Sequence, residues 1–310
     1  MTRWQPYPEY KDSGVEWLEE IPAHWEARRL KYAAAINTGT LPENMEPDFG
    51  LQYVDIGNVD STGNILDVQE MPFERAPSRA RRQVRHGDTI ISTVRTYLKA
   101  IAYIDHPPDN LIVSTGFAVL RPRPELEPRY LWRLVQSQGF VDAVVAHSEG
   151  IGYPAIAPTK LTELPVWIPS IPEQRAIAAF LDRQTARLDA LIAEQRRLIE
   201  LLQERRAALI SRAVTRGVPP GATHFQSASH LKMKDSGIPW LGEIPEHWEV
   251  IPIKYLARLK SGDSITALDI SEDGPYLVYG GNGVRGFTSA FTHEGDFVLI
   301  GRQGALCGNI

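Results

Sequence analysis

The apolar positions of this chain fall into two textures. Residues 54–56, 89–93, 100–104, 111–113 and 117–120 are short β-rich runs bounded by Gly, Pro or Asp, and they predict short strands. From 128 to 146 the spacing becomes helical, with Leu131, Leu134, Val135 and Val141 as the apolar positions. Residues 276–279 and 297–300 return to the strand-like texture. The expected fold class is α+β, an irregular mixed sheet with helices.

Between these stretches lies a third pattern. Ser170 and Glu173 have the spacing of a capping box, with Pro172 tolerated in a first turn whose amides lack intrahelical partners. From Ile177 the apolar residues fall at Leu181, Leu188, Leu191, Leu198, Leu202 and Leu209, two interleaved rows of heptad period interrupted by Gln184, Gln195 and Arg205. This predicts a helix over 169–216, stopped at Gly217 and followed by a linker over 217–232. At 1.5 Å per residue it is roughly 65 Å long. A rod with one leucine-rich stripe is expected to pack on another long helix.

The chain also repeats itself. Lys11-Asp12-Ser13-Gly14, Trp17-Leu18, Glu20-Ile21-Pro22 and His24-Trp25-Glu26 return as Lys234-Asp235-Ser236-Gly237, Trp240-Leu241, Glu243-Ile244-Pro245 and His247-Trp248-Glu249. Lys31-Tyr32 returns at Lys254-Tyr255 with the same offset of 223 residues, far beyond a solenoid period of roughly 20–50. The expected organisation is a duplicated domain, the first copy over 1–168 and the N-terminal half of a second over 233–310. The run at 297–300 resembles that at 89–93, so the second copy stops just past an internal strand. The chain is thus expected to be a C-terminally truncated or partial protein.

Composition narrows the class. Hydrophobic residues at 43% and charged residues at 23% are ordinary for a folded soluble chain of 310 residues. The single cysteine, Cys307, excludes a disulfide framework and points to a reducing compartment, the cytoplasm. No stretch has the length and apolarity of a membrane span. A net charge of −5 argues against an anionic partner, but the average hides a local excess. Between Glu74 and Lys99 stand Arg75, Arg79, Arg81, Arg82, Arg85, Arg95 and Lys99 against two acids, Glu74 and Asp88, a segment near +5. Arginine forks suit phosphate oxygens and the guanine edge, and Tyr97 can pack on a sugar or a base methyl. A solvated basic loop with no partner is the plainer reading of the same charges.

Motifs of catalysis are sparse. Gly281-Asn-Gly283-Val-Arg-Gly286 spells the dinucleotide fingerprint, but a β-like stretch follows where a helix would have to open, so a glycine hairpin turn explains it better. There is no phosphate-cradling Gly-Lys-Ser/Thr loop and no His-Glu-x-x-His run. His24 and His247 sit alone in their copies and read as packed histidines beside buried tryptophans. Asp105-His106-Pro-Pro-Asp109 reads as a turn between strands. Neither a metal nor a cofactor is expected.

Taken together, residues 10–18 and 21–25 with their second copy, Ser92-Thr-Val-Arg-Thr-Tyr-Leu98, Ser114-Thr-Gly-Phe-Ala-Val-Leu120, Gly152-Tyr-Pro-Ala-Ile156 and the 168–182 segment opening the long helix resemble the specificity subunit of type I restriction-modification systems. The resemblance implies a non-catalytic subunit with two target-recognition domains, each followed by a long helix, the two helices packing as a spacer between half-sites of a bipartite DNA target. It implies double-stranded DNA, modification subunits that methylate adenine with S-adenosylmethionine, and ATP-dependent restriction subunits as partners. On it, the candidate DNA-binding residues are Arg79, Arg81, Arg82, Arg85, Arg95, Tyr97 and Lys99, with Arg285 and Arg302 in the second copy. The helix seam is Ile177, Leu181, Leu188, Leu191, Leu198, Leu202 and Leu209. Lacking a second helix and half of the second domain, the chain is expected to read at most one half-site well and to self-associate through this seam or aggregate through the broken sheet. Two rivals stay open: a protein scaffold of repeated modules on a helical rod, and a nucleotide-dependent enzyme built around Gly281–Gly286.

Overall fold

The structure, a computed structural model, describes residues 6–15, 17–218, 232–281 and 283–301. The chain divides into two units, Met1–Glu200 and Leu201–Ile310, and the division falls inside the long helix. In the first unit, a hairpin of β1 (Tyr10–Asp12) and β2 (Glu20–Pro22) is followed by β3 (Glu26–Arg29), α1 (Leu30–Ala33) and β4 (Ala34–Ile36). Then come β5 (Gly50–Val54), β6 (Gln69–Pro72), β7 (Ala80–Gln83), β8 (Thr89–Ser92), β9 (Ile101–Tyr103), β10 (Leu111–Ser114) and β11 (Phe117–Pro122). The helices α2 (Pro128–Val135), α3 (Gln138–Ala146) and α4 (Pro158–Glu163) lead through β12 (Pro165–Ile168) into α5 (Ile171–Arg216). The fold is α+β.

Two four-stranded sheets carry the unit, ordered β6-β5-β10-β7 and β4-β11-β8-β9, with β5 and β10 the one parallel pair in them. Side chains on a strand alternate faces, and here that alternation sorts residues between cores. Ile90, Phe117 and Val119 join Val54, Ile104, Leu111 and Val113 in one cluster. Their neighbours Ile91, Ala118 and Leu120 turn to a second cluster with Leu131, Phe140, Leu161 and Ala178. Strands buried on both faces read as continuous apolar runs, which is why β8, β10 and β11 were legible in the sequence. A third cluster forms around Leu51, Tyr53, Ala80 and Ile112.

The 128–146 helix is two helices. Ser137 adopts an extended backbone (φ −60°, ψ 142°) and its N–H bonds to Leu134 O, so the chain turns before α3 begins. The break lets Gly139, at the start of α3, meet Trp17: a Cβ at that glycine would lie 2.6 Å from the Trp17 ring.

α5 begins one residue after Ser170 as expected, but not through a capping box. The Ser170 hydroxyl donates to Glu173 at 3.3 Å, and the Glu173 carboxylate is taken by the N-terminal segment. His24 Nε2–H donates to it at 3.0 Å, Tyr7 O–H at 2.8 Å and Trp25 Nε1–H at 3.2 Å. His24 is therefore exposed and ion-paired, and Trp25 is half-buried, correcting the packed-histidine expectation. Burial pushes the Glu173 carboxyl up, but these hydrogen bonds outweigh it and hold the group down at about 2. The next residue, Gln174, is wholly buried and fully satisfied, accepting from Glu127 N–H and donating to the carbonyls of Glu125 and Pro169. Beyond the first turns, Arg133 clasps Asp182 at 2.7 Å. Ile177 packs against the first unit's core, whereas Leu188, Leu191, Leu198, Leu202 and Leu209 are exposed.

The second unit contains β13 (Met233–Asp235), β14 (Glu243–Pro245), β15 (Tyr276–Gly280) and β16 (Gly283–Thr288). The sequence repeat folds twice into one hairpin. Lys11 pairs with Ile21 and Lys234 with Ile244, Gly14 and Gly237 have φ of +69° and +71°, and each accompanying serine hydroxyl is bonded to the residue two places on. The surroundings differ: Trp17 meets Trp167 edge-on at 5.6 Å, whereas Trp240 is 83% exposed. Residues 297–300 are not a strand. Their first-unit counterpart, β8, is paired on both sides by β11 and β9, and no described strand pairs with 297–300. The 217–232 linker lies mostly outside the described residues, as does Cys307. Among the described residues no helix is long and apolar enough to cross a membrane.

Candidate nucleic-acid interface

The basic segment is divided by the fold. Arg81 and Arg82 lie on β7, and Arg79 just before it. Arg85 is exposed in the turn to β8, where its N–H donates to Asp88 Oδ2 at 2.8 Å. Asp88 is 1% exposed and held by the Arg121 fork at 2.8 and 2.7 Å, which fixes that turn. Arg95, Tyr97 and Lys99 sit past the other end of β8.

Register shows which of them meet. The N–H of Thr115 bonds to Arg79 O, and the N–H and hydroxyl of Thr93 both bond to Gly116 O. The β10–β11 turn therefore joins the Arg79 end of β7 to the Arg95 end of β8. Arg85 stands at the opposite ends of both strands, a separation of about 13 Å along a four-residue strand. The structure thus brings Arg79 to the Arg95–Lys99 group and leaves Arg85 apart. Within β7, Arg81 stacks over Phe73 with its guanidinium 4.8 Å from the ring, and the buried Arg82 Nε has no hydrogen-bond partner among the described residues.

Residues 96–98 form one 3₁₀ turn between two residues in the left-handed region, Arg95 (φ +51°) and Lys99 (φ +55°). Non-glycine residues adopt that region at a cost, and surrounding contacts must hold them there. They do: Arg95 N–H donates to Pro154 O at 2.7 Å, Thr96 Oγ1 meets Ser148 Oγ at 2.9 Å, and Lys99 Nζ donates to Gln138 Oε1 at 2.8 Å. The turn consequently presents Tyr97 and Leu98 outward, each about half exposed.

A second loop completes this surface, and the sequence reading had not placed it in the site. Glu149 and Ala155 pair with each other, Ala155 also bridges to Val94, and the chain between them carries the fully exposed Ile151 and the exposed Tyr153. The Arg95 guanidinium lies 4.3 Å from the Tyr153 ring centre. Glu149, the carboxylate of this loop, is ion-paired with Lys160, whose hydrogen bond holds its carboxyl below the ordinary value. The result is one patch with two cations, two tyrosines and two exposed aliphatic tips. Such a patch can clamp phosphate and lay flat rings or methyl groups against bases. Its signal in the sequence was Gly152-Tyr-Pro-Ala-Ile156, a loop motif with no charge of its own.

In the second unit Arg285 is exposed on β16, its aliphatic stem against Gly280. Arg302 lies outside the described residues. Gly283, at φ +93°, opens β16, so residues 283–288 form a strand where a dinucleotide loop requires a helix.

A family model described as type I restriction modification DNA specificity domain matches residues 22–201. The chain is 26% identical over 283 residues to a putative type I restriction enzyme MjaX specificity subunit of Methanocaldococcus jannaschii, covering 86% of this chain and 62% of that protein. Over 59 residues, 18% of this chain and 15% of the relative, it is 42% identical to the EcoprrI specificity subunit of Escherichia coli. Among solved structures it is similar to the HsdS subunit of Thermoanaerobacter tengcongensis, with 32% identity and a TM-score of 0.53 over 66% of this chain and 52% of that one. It also matches a chain from a study of complex assembly and conformational transition of the type I R-M system, with 28% identity and a TM-score of 0.59 over 83% of this chain and 60% of that one. The chain thus spans less than two thirds of the length of each of these relatives.

Proposed function

The chain belongs to the type I restriction modification DNA specificity domain family, and from that premise we propose that it is a non-catalytic DNA-recognition subunit. Its first unit reads one half-site of a bipartite target through the patch of Arg95, Tyr97, Lys99 and Tyr153, with Arg79 beside it. Arg81, Arg82 and Arg85 act as outlying phosphate contacts, and Arg285 and Arg302 serve the second copy. The observation that supports this most is the pair of left-handed residues framing an exposed Tyr97: strained backbone held by Pro154, Ser148 and Gln138 is built to present side chains, not to bury them.

The domain plan is a recognition domain over 1–168, a spacer helix over 169–216, a linker over 217–232 and a second recognition domain beginning at 233. The exposed leucines of α5 are the docking seam, for a second spacer helix or a second copy of the chain. Methyltransferase and restriction subunits supply the chemistry, with S-adenosylmethionine and ATP bound there. This places the protein in the cytoplasm. Methylome sequencing of a host carrying the locus tests the reading: it is upheld by adenine methylation at a bipartite motif that disappears on deletion, and refuted if deletion leaves the methylome unchanged.

The scaffold reading shares the helix and the repeat. Duplex binding that weakens steeply with salt separates the two, because only a phosphate-contacting surface releases counterions.

A further inference from the structure

We propose that His86, Asp105 and His106 form a binding site for a borderline divalent transition metal, with zinc the principal candidate. The sequence reads 105–109 as a turn, and it is one; the third ligand comes from a different loop. Among the described residues these three are the one group whose ligating atoms all fall within 4.8 Å of one another. Two imidazoles and a carboxylate are the donor set that zinc, nickel and copper favour over magnesium or calcium.

The geometry is close to that of a coordinated site. Ligands at about 2.0–2.1 Å from a tetrahedral ion lie about 3.3 Å from each other. His86 Nδ1 is 3.3 Å from Asp105 Oδ1, and His106 Nδ1 is 2.8 Å from the same oxygen. The imidazole ring centres lie 4.1 Å apart, with the ring planes tilted by 35°. His86 Nδ1 accepts the backbone N–H of His106 at 3.1 Å and lies 3.3 Å from Asp105 Oδ1, so the ligating atoms border one small space. An entering cation displaces two hydrogen bonds, from the His106 amide to His86 Nδ1 and between His106 Nδ1 and Asp105 Oδ1, both at exposed residues whose freed groups can turn to water.

The support around the ligands is in place. Arg129 Nη2 stands 3.5 Å from Asp105 Oδ2, orienting the carboxylate and leaving Oδ1 toward the histidines. Tyr103 packs edge-on against His86 and is itself covered by Arg129. The two loops are tied by Gly87 N–H to Ile104 O at 3.0 Å and Ile104 N–H to Asp88 O at 2.8 Å, so the ligands are held together before any ion arrives. With three protein ligands, the remaining position is filled by water. A bound ion would pin the turn next to Arg85 to the β9–β10 loop, and this assignment does not rest on the DNA reading.

Isothermal titration of the full chain with zinc chloride, in chelator-free buffer, tests it. One zinc per chain is expected, with binding weakened at least about tenfold by His86→Ala, His106→Ala or Asp105→Asn. His293→Ala should bind like the wild type. The ligand side chains are exposed, so the variants should melt in EDTA at the wild-type temperature, which separates loss of a ligand from loss of fold. Cobalt(II) should give tetrahedral absorption bands in the wild type that His86→Ala lacks. No zinc binding by the wild type, or wild-type affinity in His86→Ala, overturns the proposal.

Discussion

His24 Nε2 lies 3.0 Å from both carboxylate oxygens of Glu173, joining the first copy of the repeated motif to the opening turn of the long helix across 149 residues of chain. Tyr7 and Trp25 donate to the same carboxylate, so four side chains from two distant segments make one latch. Hydrogen bonds to a charged acceptor contribute about 1.5–3 kcal/mol each at best, less where water competes.

Glu173→Gln should therefore lower stability at neutral pH by about 1–3 kcal/mol, measured by urea unfolding. The sign of the pH dependence follows from the carboxyl being held at about 2 instead of 4.5. The latch is fully present above pH 4.5 and is lost as pH falls toward 2, so the variant and the wild type should converge there. A difference that persists at pH 2 would show that the latch is not ionic.

Asp88 is buried and Arg121 is the fork that neutralises it. Arg121→Ala strands the carboxylate and should cost about 3–5 kcal/mol. Arg121→Lys should recover only part, because one ammonium cannot replace both bonds of the fork. Thermal melts of the two variants check this, and equal melting temperatures for wild type and alanine variant would contradict it.

Arg95 and Tyr97 are expected to act on specificity and Lys99 on general affinity. Alanine at a base-reading position should cost about 1–3 kcal/mol on the cognate duplex and relax one position of the motif. At a phosphate contact it should weaken all duplexes alike and lower the salt slope by about one. Fluorescence anisotropy across a salt series distinguishes these outcomes. Arg85→Ala, at the far end of β8, should have the smaller effect.

Gly139→Ala places a methyl 2.6 Å from the Trp17 ring. Displacing that ring should cost about 1–3 kcal/mol and expose the indole, read as a lower melting temperature with a red shift in tryptophan emission.

The exposed face of α5 predicts association. Leu198→Glu with Leu202→Glu should shift the chain toward monomer in sedimentation velocity without changing first-unit stability, since both residues are exposed. A wild-type chain that is already monomeric at micromolar concentration would rule this out.

Local pattern alone was enough for the elements whose periodicity is complete within a few residues. β8, β10 and β11 are apolar on consecutive positions because each face meets a different core, and α5 keeps its heptads over many turns. The repeat takes the same hairpin shape twice, because Asp12 and Asp235 bond the following glycine amides locally in the same way. What pattern could not supply is partnership at a distance. Whether Glu173 caps its own helix or accepts from His24 depends on where β1 and β2 come to rest. Whether the arginines form one cluster or two depends on the register of β7 and β8 about the β10–β11 turn. Residues 297–300 are as apolar as β8, yet with no strand described beside them they make no ladder. The amino-acid sequence by itself determined which segments could bury a face and which family they compose. Only the tertiary structure decided which polar groups meet, because hydrogen bonds and ion pairs act over about 3 Å and chain spacing does not report that distance.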